Sequence, residues 1–273
     1  MALRNLRYAA PKVPEVYVLF WVIKLLTTGV GETASDFFGT WNLVAAAVIG
    51  VGGFFAAIRW QTSASSYRPV RYWVSVQMVA VFGTMIADGP HVALGSPYYL
   101  DAAIYFVALC ALLSWWKRSE GTLSVHSITT ARRERFYWAT VLLTFGLGTA
   151  LGDTTATNLH MGYGWSTVLF AVLIVLPLIA WRLGADAVVC FWAAYSLTRP
   201  LGASIADGLA VSRAHGGLGL TTGVVTAVGL ALFVILVAYV AITHSDVEGA
   251  HLHRGELDAL IDGADAEPLP SAD

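Results

Sequence analysis

Long apolar runs, separated by short polar segments, limit what this 273-residue chain can fold into. Charged residues make up 12% of the sequence, against about a quarter in soluble domains. Eight runs approach the length that a helix needs to cross a hydrocarbon core of about 30 Å. The predicted spans are 16–37, 42–58, 72–89, 101–116, 136–154, 165–181, 187–209 and 221–243. We therefore predict an all-α, polytopic membrane protein whose main partner is the lipid bilayer.

The basic residues alternate from one side of these spans to the other. Thirteen of the 16 Lys and Arg residues lie before span one, after spans two, four and six, or after span eight. Because positive loops stay in the cytoplasm, both termini are predicted to be cytoplasmic. The basic residues form short blocks and no continuous stripe, which argues against nucleic acid as a partner. Residues 246–273 are predicted to be an acidic, mostly disordered cytoplasmic tail.

One pattern, W-x9-G-x4-D, occurs four times in the odd-numbered spans. Its members are Trp21, Gly31, Asp36; Trp73, Gly83, Asp88; Trp138, Gly148, Asp153; and Trp192, Gly202, Asp207. Four identical spacings indicate an internal repeat. Residues 1–245 are predicted to form one transmembrane domain of four tandem helical hairpins in parallel orientation, with repeats at about 14–62, 68–118, 134–183 and 187–244.

These motifs resemble the bacterial DUF347 membrane proteins. The resemblance rests on FWVIKLLTTGVGETASDF in the first copy, FGTMIAD in the second, LGTALGD in the third and TRPLGASIADG in the fourth. It implies four repeats of two transmembrane segments and a multi-pass protein of the bacterial cytoplasmic (inner) membrane, and it implies no activity. The second copy departs from the pattern because Gly89, Pro90 and His91 follow Asp88, which predicts a less helical backbone there.

The repeated tryptophans and glycines are both typical of structural roles in membranes. Tryptophans commonly form a belt at the level of the lipid headgroups. Glycines allow neighbouring helices to approach closely. We expect both roles here.

The repeated aspartates are harder to explain by structure alone. An ionisable side chain within a span usually faces a partner or a water-filled cavity. Helical spacing places further polar residues on or near the face of each aspartate: Glu32, Thr28, Thr84, Thr149, and the basic residues Lys24 and Arg199. If the odd helices surround a central cavity open to the outside, five carboxylates meet two internal counter-charges. Such a group cannot stay fully ionised without bound cations or protons.

We therefore predict a transporter for a small cation, either a divalent metal ion or protons. The predicted ligands are Glu32, Asp36, Asp88, Asp153 and Asp207, helped by the three threonines. Oxygen ligands favour Mn²⁺, Mg²⁺ or Ca²⁺, and His91 is a further candidate ligand beside Asp88. A bound divalent cation is the one cofactor considered, and no covalent cofactor is expected.

Two alternatives stay open at this point. In the first, a sensor or scaffold, each aspartate accepts backbone N–H bonds near a helix end, while Lys24 pairs with Glu32 and Arg199 with Asp207. In the second, Lys24 and Arg199 bind a transported anion. The sequence lacks a recognisable nucleophile motif, so we do not expect an enzyme. It leaves the oligomeric state open.

Overall fold

The structure is a computed structural model that describes residues 11–246, and this part of the chain is helical. Its α-helices are α1 (Val18–Trp41), α2 (Leu43–Thr62), α3 (Pro69–Leu94), α4 (Tyr98–Glu120), α5 (Ala131–Asp153), α6 (Gly162–Leu173), α7 (Val175–Arg182), α8 (Ala187–Ala210) and α9 (Thr222–Thr243). A π-helical turn at Thr154–Asn158 follows α5, and short 3₁₀ turns lie at Val125–Ser127 and Arg213–His215.

Each predicted apolar run coincides with a long helical segment. The sixth run contains α6 and α7, which are separated at Ile174. Five segments are long and apolar enough to cross a membrane, namely Val44–Thr62, Pro69–Leu94, Tyr98–Glu120, Gly162–Arg182 and Thr222–Thr243. The chain is therefore a membrane protein, and residues 11–246 contain helices and no strands. The predicted tail after Asp246 lies outside the described residues.

Four helices, one from each repeat, form a closed ring at the centre of the bundle. In this ring α1 packs against α3, α3 against α5, α5 against α8, and α8 against α1. Each returning helix packs mainly on the ring helix of the next repeat: α2 on α3, α4 on α5, α6 on α8 and α9 on α1. The hairpins are thus interlocked, and α9 closes the circle.

The repeated glycines lie where the ring helices touch. A Cβ atom added at each one would meet a residue of the next ring helix: Gly31 meets Ala80, Gly83 meets Phe145, Gly148 meets Arg199, and Gly202 meets Thr28. Each contacted residue lies three positions before the glycine of its own helix. One contact is therefore repeated four times with pseudo-fourfold symmetry. The predicted packing role of the glycines is confirmed.

The two ends of the ring differ in chemistry. We call the end that carries Asp36, Asp88, Asp153 and Asp207 the acid end, and the opposite end, which carries the repeated tryptophans, the aromatic end. Trp73, Trp138 and Trp192 are buried in the main hydrophobic core. The prediction of a lipid-facing tryptophan belt is wrong for these three, because their indole rings pack against other aromatic side chains inside the bundle.

The backbone after the repeated aspartates also differs from expectation. The Gly89-Pro90-His91 segment remains within α3, which continues to Leu94. The prediction of a less helical backbone there is wrong. The interruption occurs instead in the third repeat, where a π-helical turn follows Asp153. Such turns are rare and are often found at functional sites.

The ring makes a testable prediction about Gly31. In Gly31→Ala, the added methyl group would lie 2.5 Å from the Ala80 side chain and 2.9 Å from its carbonyl carbon, so α1 and α3 must separate. Overpacking of this kind costs about 1–3 kcal/mol, and we expect a lower melting temperature in detergent. Gly52→Ala in α2 is the control, because nothing lies within 4 Å of its added methyl group. Equal melting of the two variants would contradict close contact in the ring.

Candidate functional site

Arg199 occupies the middle of the ring and connects all four of its helices. Its side chain is 0% exposed. The guanidinium donates to Glu32 Oε2 of α1 at 2.6 Å and to Thr149 Oγ1 of α5 at 2.7 Å. It also donates to Thr84 Oγ1 of α3. Main-chain oxygens of Thr28 and Phe145 accept further bonds at 2.5 Å and 3.5 Å.

The repeat explains why these side chains meet. Glu32, Thr84 and Thr149 each follow the repeated glycine of their helix by one residue, so the ring places them at one level. Gly148 leaves room for the aliphatic part of Arg199, which a Cβ atom at that position would strike. Both threonine hydroxyls also donate to Glu32 Oε2, each at 3.3 Å. The threonines therefore accept from the guanidinium and donate to the carboxylate.

Lys24 lies closer to the aromatic end than the Arg199–Glu32 pair does, and it has different contacts. It is 1% exposed, and its Nζ lies 4.3 Å from the ring centroids of both Phe145 and Tyr195. Within residues 11–246 its ammonium group has no hydrogen-bond partner. The sequence-based pairs, Lys24 with Glu32 and Arg199 with Asp207, are not formed in this part of the chain. Arg199 pairs with Glu32, and Lys24 makes cation–π contacts.

Three of the five predicted carboxylates come together at the acid end. Glu32, Asp36 and Asp88 can each offer an oxygen such that the three oxygens lie within 4.8 Å of one another. Asp153 and Asp207 are not members of this close group. Both still interact electrostatically with Glu32 and Asp36 across the ring. The carboxylates therefore converge closely from α1 and α3, and less closely from α5 and α8.

The repeated aspartates do not anchor loops in the way the scaffold alternative requires. Within residues 11–246, no backbone amide donates a hydrogen bond to the carboxylate of Asp36, Asp88, Asp153 or Asp207. Asp36, Asp88 and Asp153 are partly exposed, whereas Asp207 is buried. The first three residues are thus not fully enclosed by the bundle.

Two predicted ligands lie elsewhere. The Thr28 hydroxyl donates to the main-chain oxygens of Leu25 at 2.5 Å and Thr198 at 3.3 Å, so it serves the contact between α1 and α8. The His91 ring stacks on Tyr98 with centroids 4.0 Å apart, and its Nδ1 lies 2.7 Å from the main-chain oxygen of Ser96. The close carboxylate group does not include His91. The prediction of His91 as a metal ligand therefore finds no support in this geometry.

The aromatic end is closed by side chains that sequence reasoning missed. Lys12 Nζ forms a buried ion pair with Glu134 Oε2 at 2.7 Å, and Gln61 Nε2 lies 3.5 Å from Glu134 Oε1. Glu134 was obscured by the arginines beside it in the sequence. Its position four residues before Trp138 is the signal that it belongs on the buried face of α5.

Two tyrosine contacts complete this closure. The hydroxyl groups of Tyr72 and Tyr137 are hydrogen-bonded at 2.5 Å inside the core. In the loop before α3, Tyr67 donates a hydrogen bond to Asp246. Burial, and then the nearby Asp246 carboxylate, raise the pKa of Tyr67, which keeps the phenol a hydrogen-bond donor.

The fold and the repeated contacts define a helical membrane protein assembled from tandem hairpins. The family described as Repeat of Unknown Function (DUF347) matches residues 71–122, 136–184 and 190–246. The chain belongs to this family. The matched ranges agree with the last three predicted repeats to within a few residues, while the first hairpin, which completes the ring, lies outside them. No curated protein and no solved structure matches the chain.

The Arg199–Glu32 pair can be tested by a double-mutant cycle. Arg199→Met leaves a buried carboxylate without its cation, and loss of one partner of such a pair costs about 3–5 kcal/mol. We expect the double variant with Glu32→Met to lose much less stability than the sum of the single variants. A parallel cycle of Arg199→Met with Asp207→Asn should show weaker coupling in reversible unfolding. Additive effects for Arg199 and Glu32 would refute the pairing.

Proposed function

We propose that this protein crosses the membrane eight times as four parallel hairpins, with both termini in the cytoplasm of a bacterial cell. Only one ring helix, α3, is among the five apolar segments. The other three, α1, α5 and α8, contain 24, 23 and 24 residues, which correspond to about 35 Å of helix and suffice to span a bilayer. Their charges are turned into the ring or lie near helix ends. The alternation of basic loops supports the orientation.

We further propose that the protein transports a small cation, which binds at the acid end. The observation that carries this proposal is the group of Glu32, Asp36 and Asp88, whose oxygens lie within 4.8 Å of one another. A cation at their centre would receive oxygen ligands from two helices. Access from the acid end is supported by the partial exposure of the two aspartates.

The charge balance in the ring favours a positively charged ligand. Glu32 already has Arg199 as its partner at 2.6 Å. The four aspartates have no basic partner within 4 Å in the described part of the chain, and Lys24 is held between aromatic rings. Carboxylates that share a low-dielectric site require protons or cations. A cation or proton can enter this group without leaving further unpaired charge.

The chemistry of the ligands limits the class of cation. Carboxylate oxygens, with the threonine hydroxyls one level below, suit the hard ions Mn²⁺, Mg²⁺ and Ca²⁺. Cysteine is absent from the close group, and copper and zinc commonly use Cys or His. Protons are the other candidate. In both cases Arg199 would hold Glu32 in place while the aspartates exchange their ligand.

Transport requires the aromatic end to open in another state. There the path is blocked by buried aromatic rings and by the Lys12–Glu134 ion pair. The buried glycine contacts between ring helices provide small-residue surfaces on which helices can shift. We propose that opening separates Lys12 from Glu134 of α5 and loosens the Tyr72–Tyr137 contact.

A sensor or scaffold is the second candidate, and one observation favours it. Glu32 Oε2 has three partners within the chain, namely Arg199, Thr84 and Thr149. A carboxylate so fully engaged can serve helix packing alone. In that case the aspartates would bind cations weakly or not at all. An anion carrier has less support, because Lys24 is enclosed and Arg199 already donates to five oxygens.

Cation binding is tested by thermal unfolding of the purified protein. If millimolar Mn²⁺ is a hundredfold above its Kd, it should stabilise the folded state by about 2.7 kcal/mol. Asp36→Asn and Asp88→Asn should abolish this gain, because each removes a carboxylate from the close group. Asp101→Asn is the control, since Asp101 bonds to Ser96 and lies outside that group. If Mn²⁺ stabilises the unaltered protein and all three variants equally, Asp36 and Asp88 are not part of the binding site.

Flux measurements separate the two function classes. In proteoliposomes, Mn²⁺ uptake or proton flux that disappears in Asp88→Asn and persists in Asp101→Asn is expected for the transporter. Cation-dependent stabilisation without flux would favour the sensor. If the protein shows no stabilisation by Mn²⁺ and no flux of Mn²⁺ or protons, the scaffold is favoured.

A further inference from the structure

A pocket on the outer surface of the bundle, near the aromatic end, lies apart from the ring. This pocket of about 350 Å³ is formed by Leu113, Ser114, Lys117 and Arg118 of α4 and by Leu123 of the following loop. Helical spacing places Leu113 one turn before Lys117 and Ser114 one turn before Arg118. Each cation therefore has a small or apolar residue deeper along the helix.

The two cations of this pocket are free to bind an anion. Both are exposed, and within residues 11–246 neither forms an ion pair. The adjacent carboxylate, Glu120, is engaged by Arg132 at 3.1 Å and Arg133 at 3.0 Å. Residues 114–135 contain five basic and two acidic residues, and the other acid, Glu134, is paired with Lys12. The surroundings of the pocket are thus positive.

The position of the pocket points to a lipid. Helix α4 is long and apolar enough to cross a membrane, and the two cations lie in its last turn. Trp115, in the same region of α4, is 62% exposed, as is typical of a tryptophan at the headgroup level. The pocket therefore has Leu113 and Ser114 on the membrane side and the two cations on the water side. Basic pockets at this level commonly bind anionic headgroups.

We propose that this pocket binds an anionic glycerophospholipid. The phosphate would lie between Lys117 and Arg118, where the planar guanidinium can donate two parallel bonds to phosphate oxygens. One acyl chain would follow Leu113 toward the middle of the membrane. The assignment does not depend on cation transport, because the pocket lies outside the ring and shares no residue with the acid end.

The test is a lipid titration of the full-length protein followed by native mass spectrometry. Phosphatidylglycerol should bind more tightly than phosphatidylcholine with the same acyl chains. The double variant Lys117→Gln with Arg118→Gln should bind phosphatidylglycerol roughly 25-fold more weakly, which is about fivefold for each cation removed. The single variant Lys117→Gln should bind phosphatidylglycerol about fivefold more weakly. It replaces the double variant in the test if the double variant melts at a lower temperature than the unaltered protein.

Arg59→Gln with Arg68→Gln is the matched control, because it removes two exposed cations at the same end of the molecule. Its affinity for phosphatidylglycerol should be unchanged. An equal loss in both double variants, or equal binding of the two lipids, would overturn the proposal in favour of general surface attraction. Binding of glycerol 3-phosphate as tight as that of the lipid would also overturn it, since the acyl chain would then contribute nothing.

Discussion

The structure depends on the close approach of four glycines to the next helix of a ring. Each repeated glycine contacts the residue three positions before the glycine of its neighbour, from Gly31 against Ala80 round to Gly202 against Thr28. Side chains at these positions would force the helices apart, and because the four contacts occupy equivalent positions in a closed ring, a displacement at one of them affects the neighbouring helices. The interlocked returning helices, with α9 on α1, reinforce the same closure.

The candidate site forms because the four ring helices are equivalent in geometry but differ in the side chains that they carry. Positions that the ring makes equivalent carry different side chains: Glu32, Thr84 and Thr149 occupy one level, and Arg199 reaches that level from the fourth helix. In α5, the position that corresponds to Arg199, three residues before the repeated glycine, is occupied by Phe145. The Phe145 ring faces both Arg199 and Lys24. A repeat can thus place a buried cation opposite a carboxylate without any special backbone, and the aspartates beyond them are left with a surplus of negative charge.

Much of this could be predicted from the sequence, for identifiable physical reasons. Apolar length predicts the helices, and identical spacing predicts the repeats and the packing role of glycine. The tryptophan prediction was wrong for Trp73, Trp138 and Trp192 because amphipathic rings suit both a headgroup belt and a buried aromatic cluster. The spacing of residues in the sequence does not show whether a given face of a helix meets lipid or protein. The Gly89-Pro90-His91 prediction was wrong because Pro90 removes only the backbone hydrogen bond to the main-chain oxygen of Ile86, and the Tyr105 hydroxyl donates to that oxygen instead, at 2.7 Å. Lys12 and Glu134 were missed because their ion pair joins residues 122 positions apart.

The sequence by itself determined a membrane protein of hairpin repeats with too many carboxylates for its buried bases. These properties depend on apolar length, spacing and composition, which are local or countable. Only the tertiary structure decided that the guanidinium of Arg199 takes Glu32 and not Asp207, that Lys24 rests between two rings, and that three carboxylates come within 4.8 Å. Those choices depend on the order of helices around the ring and on their relative heights, which are set by contacts between residues far apart in the chain.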